Sequence, residues 1–394
     1  MPRLPLEGLL VADFTRVLAG PLCTQMLGDH GARVIKVEDP RGGDETRRWG
    51  PPFLDGISTY FLAVNRNKES LALDLKSDAG RKLARALIRR ADVVVDNFLP
   101  AQRQELLGDV RRLNRRAIHC SISGFDGDTA DAGTPGYDLL AQAGSGLMAI
   151  TGDAAGEPVK VGVALADVLT AHHAFGAIGS ALYARERDGR GARVEVSLFG
   201  STLASLVNVA QAALATGVEA SRLGNAHASI VPYQLFHASD RAFAIGVGTD
   251  RHFVALCRVL ERPELAARFP TNTSRVEQRG TLVPLLDALF RTKTAHEWVT
   301  RLRAEGVPVS LVQGVLEALR GEPGRVLLAN VEHPLLGSYE TVLNPVRVDG
   351  ARFLIRRPPP SLGEHTEAIV TELRASPASE TGSRRGRRTP AARR

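Results

Sequence analysis

The chain contains few cysteines and few aromatic side chains. Three cysteines, Cys23, Cys120 and Cys257, lie far apart among the 394 residues and form no CxxC pair. This spacing disfavours a disulfide framework and a zinc site, so we predict no metal, no tightly bound cofactor and a reducing cytoplasm as the location. Because only 5% of the residues are aromatic, alanine, valine and leucine must supply most of the core.

Long apolar runs are also missing. No segment approaches the roughly 20 apolar residues that cross a bilayer. Residues 1–7 lack the apolar stretch of a signal peptide. We therefore expect no membrane partner.

The excess positive charge is concentrated at one end of the sequence. The formal net charge is +7, and residues 375–394 hold six arginines against one acid, Glu380. The rest of the chain is nearly neutral, which disfavours a nucleic-acid partner. The segment is rich in serine, glycine, proline and alanine, so we predict a disordered basic tail. A binding module that acts through this tail stays open as an alternative function.

Strand-like and helix-like segments alternate in the first part of the chain. Short apolar runs at 9–14, 33–37, 92–96, 117–122 and 193–198 predict buried strands separated by helices. This order predicts an α/β fold with a Rossmann-like parallel sheet, which binds ligands at the carboxyl ends of its strands. The GxGxxG fingerprint is missing, which disfavours the nicotinamide-dependent oxidoreductase that a parallel sheet alone suggests.

A change of composition near residues 217–224 predicts a domain boundary. We assign residues 1–216 to the large domain and 217–322 to a smaller α+β domain. Residues 323–374 form a linker and a return to the large domain, with a late strand expected at 352–355, and 375–394 form the tail.

One carboxylate, Asp167, interrupts an apolar stretch at 161–170. An unpaired charge is costly to bury, so this residue either caps the helix that runs on from Val168 or has a chemical role. The two interpretations are compatible, because a helix N-terminus stabilises the anionic, nucleophilic form of a carboxyl group.

Two further segments carry candidate residues. Tyr137 and Asp138 follow a Pro-Gly turn, and the small residues of loop 16–21 let a ligand approach the backbone after the first strand. Simple turn chemistry and a plain strand-to-helix loop are the respective alternatives.

Together these segments resemble the family III CoA-transferases, a group that includes formyl-CoA and carnitine-type CoA-transferases and α-methylacyl-CoA racemases. The resemblance covers about residues 5–370. The motifs that carry it include Asp13-Phe14-Thr15, Ala19-Gly20-Pro21, Val34-Ile35-Lys36-Val37-Glu38, Leu73-Asp74-Leu75-Lys76, Asp96-Asn97-Phe98, Gly136-Tyr137-Asp138, Ala166-Asp167 and Val194-Glu195-Val196-Ser197-Leu198-Phe199.

The resemblance implies a Rossmann-like large domain, a small domain and an interlocked homodimer whose domains meet at the active site. It also implies that Asp167 attacks an acyl-CoA carbonyl, with Tyr137 and Asp138 nearby as catalytic candidates. A mixed anhydride and then an aspartyl-CoA thioester form, and the carboxylate of an acceptor acid collects the CoA. The implied substrates are an acyl-CoA and a small carboxylic acid.

The same resemblance implies which residues contact CoA. They are Arg16, Val17, Ala19, Leu73, Lys76, Asn97 and Phe98. Lys76 and Arg16 supply positive charge for the phosphate groups. Asp39 and Glu105 stand where some relatives have arginine.

Two departures from the family patterns favour CoA transfer over racemisation, which stays an alternative. Tyr137 stands where the racemases have histidine, and a phenol with a pKa of about 10 is a poor base at neutral pH. Asp250 stands at the racemases' glutamate position. Leu18 replaces a glutamine of the formyl-CoA enzyme, which disfavours oxalate or formate as substrate. The sequence leaves the donor and the acceptor unnamed.

Overall fold

Six parallel strands form the central sheet of the first part of the chain. The computed structural model describes residues 4–375, so the predicted tail lies outside the described residues except for Ala375, which ends the last helix. The strands of this part are β1 (Leu10–Phe14), β2 (Arg33–Glu38), the short pair β3 (Phe53–Leu54) and β4 (Ile57–Ser58), β5 (Lys68–Ala72), β6 (Val93–Asp96), β7 (Ile118–Ser123) and β8 (Arg193–Ser197).

The order of the strands creates a crevice for a ligand. Across the sheet they run β5-β2-β1-β6-β7-β8, and every neighbouring pair is parallel. The chain builds outward from β1 to β5, then crosses back to β6 and builds in the other direction. The point where this direction reverses, between the carboxyl ends of β1 and β6, is where doubly wound sheets bind ligands. The predicted parallel sheet is confirmed.

Helices cover both faces of this sheet. The helices of this part of the chain are α1 (Ala19–Asp29), α2 (Thr59–Val64), α3 (Asp78–Arg90), α4 (Pro100–Leu106), α5 (Val110–Leu113), α6 (Asp138–Gly144), α7 (Leu147–Ile150), α8 (Leu165–Asp188), α9 (Leu198–Ala204) and α10 (Val207–Thr216). One apolar cluster joins the sheet to α1 and α8, and another joins the opposite face to α3. The inner strands are therefore covered on both faces, which explains the hydrophobic runs of β1 and β6, whereas the edge strands β5 and β8 are more polar.

The alanine-rich segment 201–216 does not form one continuous helix. The structure has two helices, α9 and α10, bent by 76°. The Ser197 hydroxyl caps α9 by accepting a hydrogen bond from the Gly200 N–H at 2.9 Å, so the first helix begins earlier than its composition suggests. Within residues 4–375 no single helix has the length and apolar character to cross a membrane, and this bent pair meets those criteria only when its two parts are combined.

A three-stranded antiparallel sheet with its own apolar core follows. Its strands are β9 (Tyr233–His237), β10 (Ala242–Gly246) and β11 (Val309–Leu311), and its helices are α11 (Asp250–Val259), α12 (Glu264–Arg268), α13 (Asn272–Glu277), α14 (Arg279–Phe290) and α15 (Ala295–Ala304). The buried residues of this core run from Val231 to Val307.

The late strand predicted at 352–355 does not join the large sheet. The elements of this region are α16 (Val315–Arg320), α17 (Glu322–Arg325), β12 (Leu328–His333), β13 (Gly337–Val342), β14 (Arg347–Val348), β15 (Ala351–Arg352) and α18 (Thr366–Ala375). Among the described residues, β15 pairs with β14 alone. The chain returns instead through α18, whose Ile369 and Leu373 enter the core beside α3. The loop before α18 covers the edge strand β5, where the His365 N–H donates to the Ser70 carbonyl at 3.1 Å.

Candidate active site

The loops that follow β1 and β6 meet at the crevice. The Asn97 side chain joins them, because its Oδ1 accepts from the Arg16 N–H at 3.1 Å and its Nδ2 donates to the Arg16 carbonyl at 2.8 Å. The Arg16 guanidinium lies 5.8 Å from the ring centre of Phe98. Three of the predicted CoA contacts are therefore held together by direct interactions.

The backbone at Val17 is strained. Its φ of 72° lies in the left-handed region, which a β-branched residue rarely adopts. The Asp44 carboxylate helps to hold this conformation by accepting the Val17 N–H at 3.2 Å. This backbone conformation leads directly into α1, whose first residue is Ala19.

Buried charged side chains contact the loop that follows β1 and the residues beside it. The Lys68 ammonium contacts Asp13 at 3.1 Å, and the Lys36 ammonium contacts Asp44 at 2.9 Å; all four side chains are fully buried. Lys36 also donates to the Thr15 carbonyl at 2.9 Å. We call Asp13, Lys36, Asp44 and Lys68 the buried ionic network.

The pKa values of this network show how its members keep one another charged. Burial favours the neutral form of Asp13, but the charges of Lys68 and Lys36 and hydrogen bonds from Thr15 and Thr24 bring its pKa down to about 2. Burial lowers the pKa of Lys68 to about 8 despite the opposing effect of Asp13. Asp13 is therefore ionised at neutral pH, and Lys68 is more easily neutralised than an exposed lysine.

A cleft of about 410 Å³ opens at the carboxyl ends of β1, β2 and β6. Four predicted CoA contacts line it: Arg16, Leu73, Lys76 and Phe98. Arg41 and Arg48 add positive charge. Asp39, which stands where the formyl-CoA enzyme has arginine, is engaged by Arg41 at 2.7 Å. We call this space the CoA cleft because it holds these predicted contacts. Its four basic side chains stand beside five acids, Glu38, Asp39, Asp44, Glu45 and Asp74, so its lining carries no excess of positive charge.

Asp167 lies in the first turn of α8 and is not its cap. The helix begins at Leu165 with Ala164 at the cap position, so the capping interpretation from sequence is wrong. Asp138 takes that role, since its Oδ1 accepts the Ala166 N–H at 2.8 Å. A carboxylate from α6 thus supplies the cap and leaves the Asp167 carboxyl available for other contacts.

The surroundings of Asp167 change its acidity. Burial raises the pKa of Asp167 to about 7, the negative charge of Asp138 adds to this, and a hydrogen bond from the Ala19 N–H opposes it. Ala19 opens α1, so the positive end of that helix faces the carboxyl group. The predicted CoA loop and the predicted nucleophile therefore lie near each other, although Asp167 is not among the residues that line the CoA cleft.

A further residue of the site, Tyr60, was not predicted from the sequence. Burial raises the pKa of Tyr60 to about 12, and the charges of Asp167, Asp138 and Asp44 add to the effect. Tyr60 therefore lies among the carboxylates of the site and keeps its hydroxyl proton at neutral pH. Its ring meets Trp49 edge-on at 5.3 Å. The sequence offered one weak signal for Tyr60, that tyrosine is scarce in this chain. Its position far from Asp167 in the sequence gave no reason to connect the two residues.

Tyr137 is at the cap position of α6, and 59% of its surface is exposed. Its segment is fixed by a close approach of two backbones, because a Cβ on Gly136 would lie 2.1 Å from the Gly124 Cα. Glycine is required at this contact, which places the start of α6 and thus Asp138. The catalytic role of Tyr137 stays a prediction.

Comparison with known proteins agrees with this geometry. The sequence profile of CoA-transferase family III matches residues 6–366. The chain is 40% identical to succinyl-CoA:glutarate CoA-transferase of Mus musculus, over 94% of this chain and 86% of that protein. It is 38% identical to acetyl-CoA:oxalate CoA-transferase of Acetobacter aceti, over 96% and 98%. The crystal structure of a CAIB/BAIF family protein from Brucella suis superposes with a TM-score of 0.83 at 37% identity, covering 94% of this chain and all of that one.

The matched family profile and the named relatives, together with a doubly wound sheet that carries a cleft where its strand order reverses, define a transferase of CoA thioesters. The chain belongs to CoA-transferase family III. Its reaction is the transfer of CoA between an acyl-CoA and a carboxylic acid, and the resemblance found in the sequence is confirmed.

Proposed function

We propose that the chain transfers CoA through covalent intermediates on Asp167. The observation that carries this proposal is the position of Asp167, a carboxyl group in the first turn of α8 that lies near Ala19, the first residue of the helix into which the loop of the predicted CoA contacts leads. A nucleophile must reach the thioester carbon while the nucleotide is bound, and Ala19 belongs to the loop that connects the two places.

The proposed reaction has four steps. The Asp167 carboxylate attacks the acyl-CoA carbonyl, so a mixed anhydride forms and the CoA thiolate leaves. The thiolate attacks the aspartyl carbonyl, which gives the aspartyl-CoA thioester and releases the donor acid. The acceptor carboxylate then attacks this thioester, forming a second anhydride and freeing the thiolate again. Finally the thiolate attacks the acceptor's carbonyl, which yields the new acyl-CoA and restores the Asp167 carboxylate.

Two groups support these steps. When the thiolate attacks the aspartyl carbonyl, negative charge develops on the carbonyl oxygen, and the Ala19 N–H at the start of α1 can stabilise it. Tyr60 keeps its proton because its pKa is about 12, so its hydroxyl serves as a neutral donor near the reacting carboxyl group. Tyr137 and Asp138 complete the proposed catalytic set, with Asp138 holding the start of α8 through Ala166.

We further propose short dicarboxylic acids as substrates. Relatives from Mus musculus and Agrobacterium fabrum carry succinate and glutarate in their names, and one from Haloarcula marismortui carries succinyl-CoA and mesaconate. A relative named for oxalate is 38% identical to this chain, so oxalate belongs in the substrate panel although Leu18 disfavours it. Succinyl-CoA with glutarate is the first pair to test.

An isotope experiment tests the covalent route. The enzyme is incubated with succinyl-CoA and with glutarate whose two carboxyl groups carry oxygen-18, and the peptide containing Asp167 is weighed by mass spectrometry. The proposed steps leave one acceptor oxygen on the Asp167 carboxylate.

Asp167→Asn should show neither exchange nor label, and the exposed Asp153→Asn serves as the matched control. Full exchange with an unlabelled Asp167 would contradict the covalent route. Solvent deuterium entering the acyl α-carbon without acceptor would instead indicate racemisation.

The exposed apolar surface supports the expected interlocked homodimer. Helix α10 has no buried residue, although it consists largely of alanine, valine and leucine, and Leu214 is 82% exposed. On α8, Gly176 and Gly179 face open space and Tyr183 is 69% exposed. Such a continuous apolar face is typical of an interface. Leu214→Lys should shift the sedimentation coefficient toward the monomer, whereas Arg251→Gln on α11 should not. An unchanged coefficient for Leu214→Lys would argue against this face.

The predicted layout of domains is retained as part of the proposal. Residues 1–216 and 323–374 would form the CoA-binding domain and residues 217–322 the small one. A cytoplasmic location is proposed because the three cysteines are all buried and free. The alternative that the chain binds a partner through its arginine tail concerns residues outside those that the structure describes, and deletion of 376–394 tests it by partner binding.

A further inference from the structure

A second concave surface lies across helix α4 from the CoA cleft. Gln102 and Leu106 of α4 line the CoA cleft, whereas Arg103 and Gln104 line this other cavity, which has a volume of about 970 Å³. Six arginines surround it: Arg103, Arg111, Arg112, Arg115, Arg190 and Arg193. Of its lining residues, all within the described chain, Asp109 is the one acid. We call it the arginine cavity.

Half of these arginines have counter-charges and half do not. Arg103 contacts Asp96 at 2.8 Å. Arg112 contacts Asp109 at 3.2 Å and Arg193 contacts Glu195 at 2.7 Å.

The other three guanidinium groups belong to Arg111, Arg115 and Arg190. Across residues 4–375, no hydrogen bond or ion pair engages any of these three side chains. The cavity thus holds a net excess of positive charge that the protein itself does not neutralise.

The backbone keeps two of the free cations close together. The Gly191 N–H donates to the Arg115 carbonyl at 2.8 Å, which ties the loop of Arg190 to that of Arg115. A Cβ on Gly191 would lie 2.0 Å from the Ala117 carbonyl oxygen, so this tight approach requires glycine. Holding like charges together is unfavourable, and a bound anion would relieve the repulsion.

We propose that the arginine cavity binds a small polyanion that carries two or more phosphate groups. Guanidinium groups bind phosphate oxygens in pairs, and three of them are unoccupied. The volume is that of a small-molecule site, and apart from the tail the chain is nearly neutral, which disfavours an extended nucleic-acid surface. The site is independent of the proposed CoA-transfer mechanism, because none of its residues lines the CoA cleft.

Isothermal titration of the full chain with sodium pyrophosphate tests the assignment. Arg115→Gln combined with Arg190→Gln removes two free cations from the cavity. Lys76→Gln is the matched control, because it removes one cation from the CoA cleft and leaves the cavity intact. The parent and the control should both bind pyrophosphate in the cavity, whereas the double variant should bind it about tenfold more weakly or not at all.

Several outcomes would overturn the proposal. They are an unchanged affinity in the double variant, no binding by the parent, or a single-stranded RNA oligonucleotide that binds more tightly than pyrophosphate and loses affinity in the same variant. Retained melting temperature shows that the double variant is folded. If it is not folded, Arg111→Gln on the exposed helix α5 provides the second measurement, with the same expected loss of affinity.

Discussion

The acidity of Asp167 makes stability and activity depend on pH in opposite directions. Its pKa is about 7 in the folded chain, against an ordinary value of 3.8. Between these two values the unfolded chain ionises at Asp167 while the folded chain keeps the proton. Stability therefore falls as the pH rises from about 4 to about 7, and the loss stays constant above that.

The magnitude follows from the same two values. A tenfold change in acidity corresponds to about 1.4 kcal/mol, so the folded state loses about 4 kcal/mol once Asp167 is ionised. Asp167→Asn has nearly the same shape and never ionises. Its free energy of unfolding should equal that of the parent near pH 4 and exceed it by about 4 kcal/mol at pH 8.

Denaturant unfolding at both pH values, at one protein concentration, checks this difference. Transfer activity gives the complementary measurement, because kcat/KM for succinyl-CoA should rise with pH and level off above about 7 as the carboxylate forms. Asp138→Asn removes the neighbouring charge but keeps an oxygen for the Ala166 N–H, so its profile should move to lower pH. The reasoning is refuted if Asp167→Asn is equally more stable at both pH values, or if the activity profile is flat.

Three further predictions concern the support of the site. Lys76→Gln should raise the KM for acyl-CoA about tenfold with kcat little changed, and the effect should shrink in high salt; steady-state kinetics at two ionic strengths measures it. Asp13→Asn leaves buried lysines without their partner and should lower the free energy of unfolding by about 3–5 kcal/mol, measured in urea, whereas exposed Asp153→Asn should not. Gly136→Ala should displace Asp138, lowering kcat about a hundredfold and also lowering the urea midpoint, because the added Cβ meets the Gly124 backbone; unchanged kcat and midpoint would show that the close approach to Gly124 is dispensable.

Local patterns were sufficient to predict five of the six strands of the large sheet and to mark Asp167, whereas the polar edge strand β5 was not among the predicted runs. Buried parallel strands are apolar on both faces, so their runs are visible in the sequence without knowledge of their neighbours. Asp167 was visible for the converse reason, as a charge within an apolar stretch. The exact position of Asp167 in α8 could not be predicted, because the capping carboxylate is that of Asp138, which lies on another helix.

Features that depend on distant partners were not predictable in this way. Lys36 and Lys68 lie in strands, where a lysine normally indicates an exposed face, yet both are buried because Asp13 and Asp44 neutralise them. Tyr60 lies on α2, which contacts α1, and α1 in turn packs against α8, the helix of Asp167. The apolar segment 352–355 was predicted to return to the large sheet as a strand. The strand found there, β15, pairs instead with the two-residue strand β14, and the chain returns through α18.

The buried ionic network has a consequence for engineering the enzyme toward new acids. In a library that changes one position at a time, few substitutions at Asp13, Lys36, Asp44 or Lys68 will be tolerated. Each one leaves an opposite charge buried without a partner. Replacing both members of a pair by apolar residues is a different experiment. It tests whether the fold needs the two charges or only the volume that the two side chains fill. Libraries for altered substrate choice are therefore better directed at the rim of the cleft, where side chains change independently.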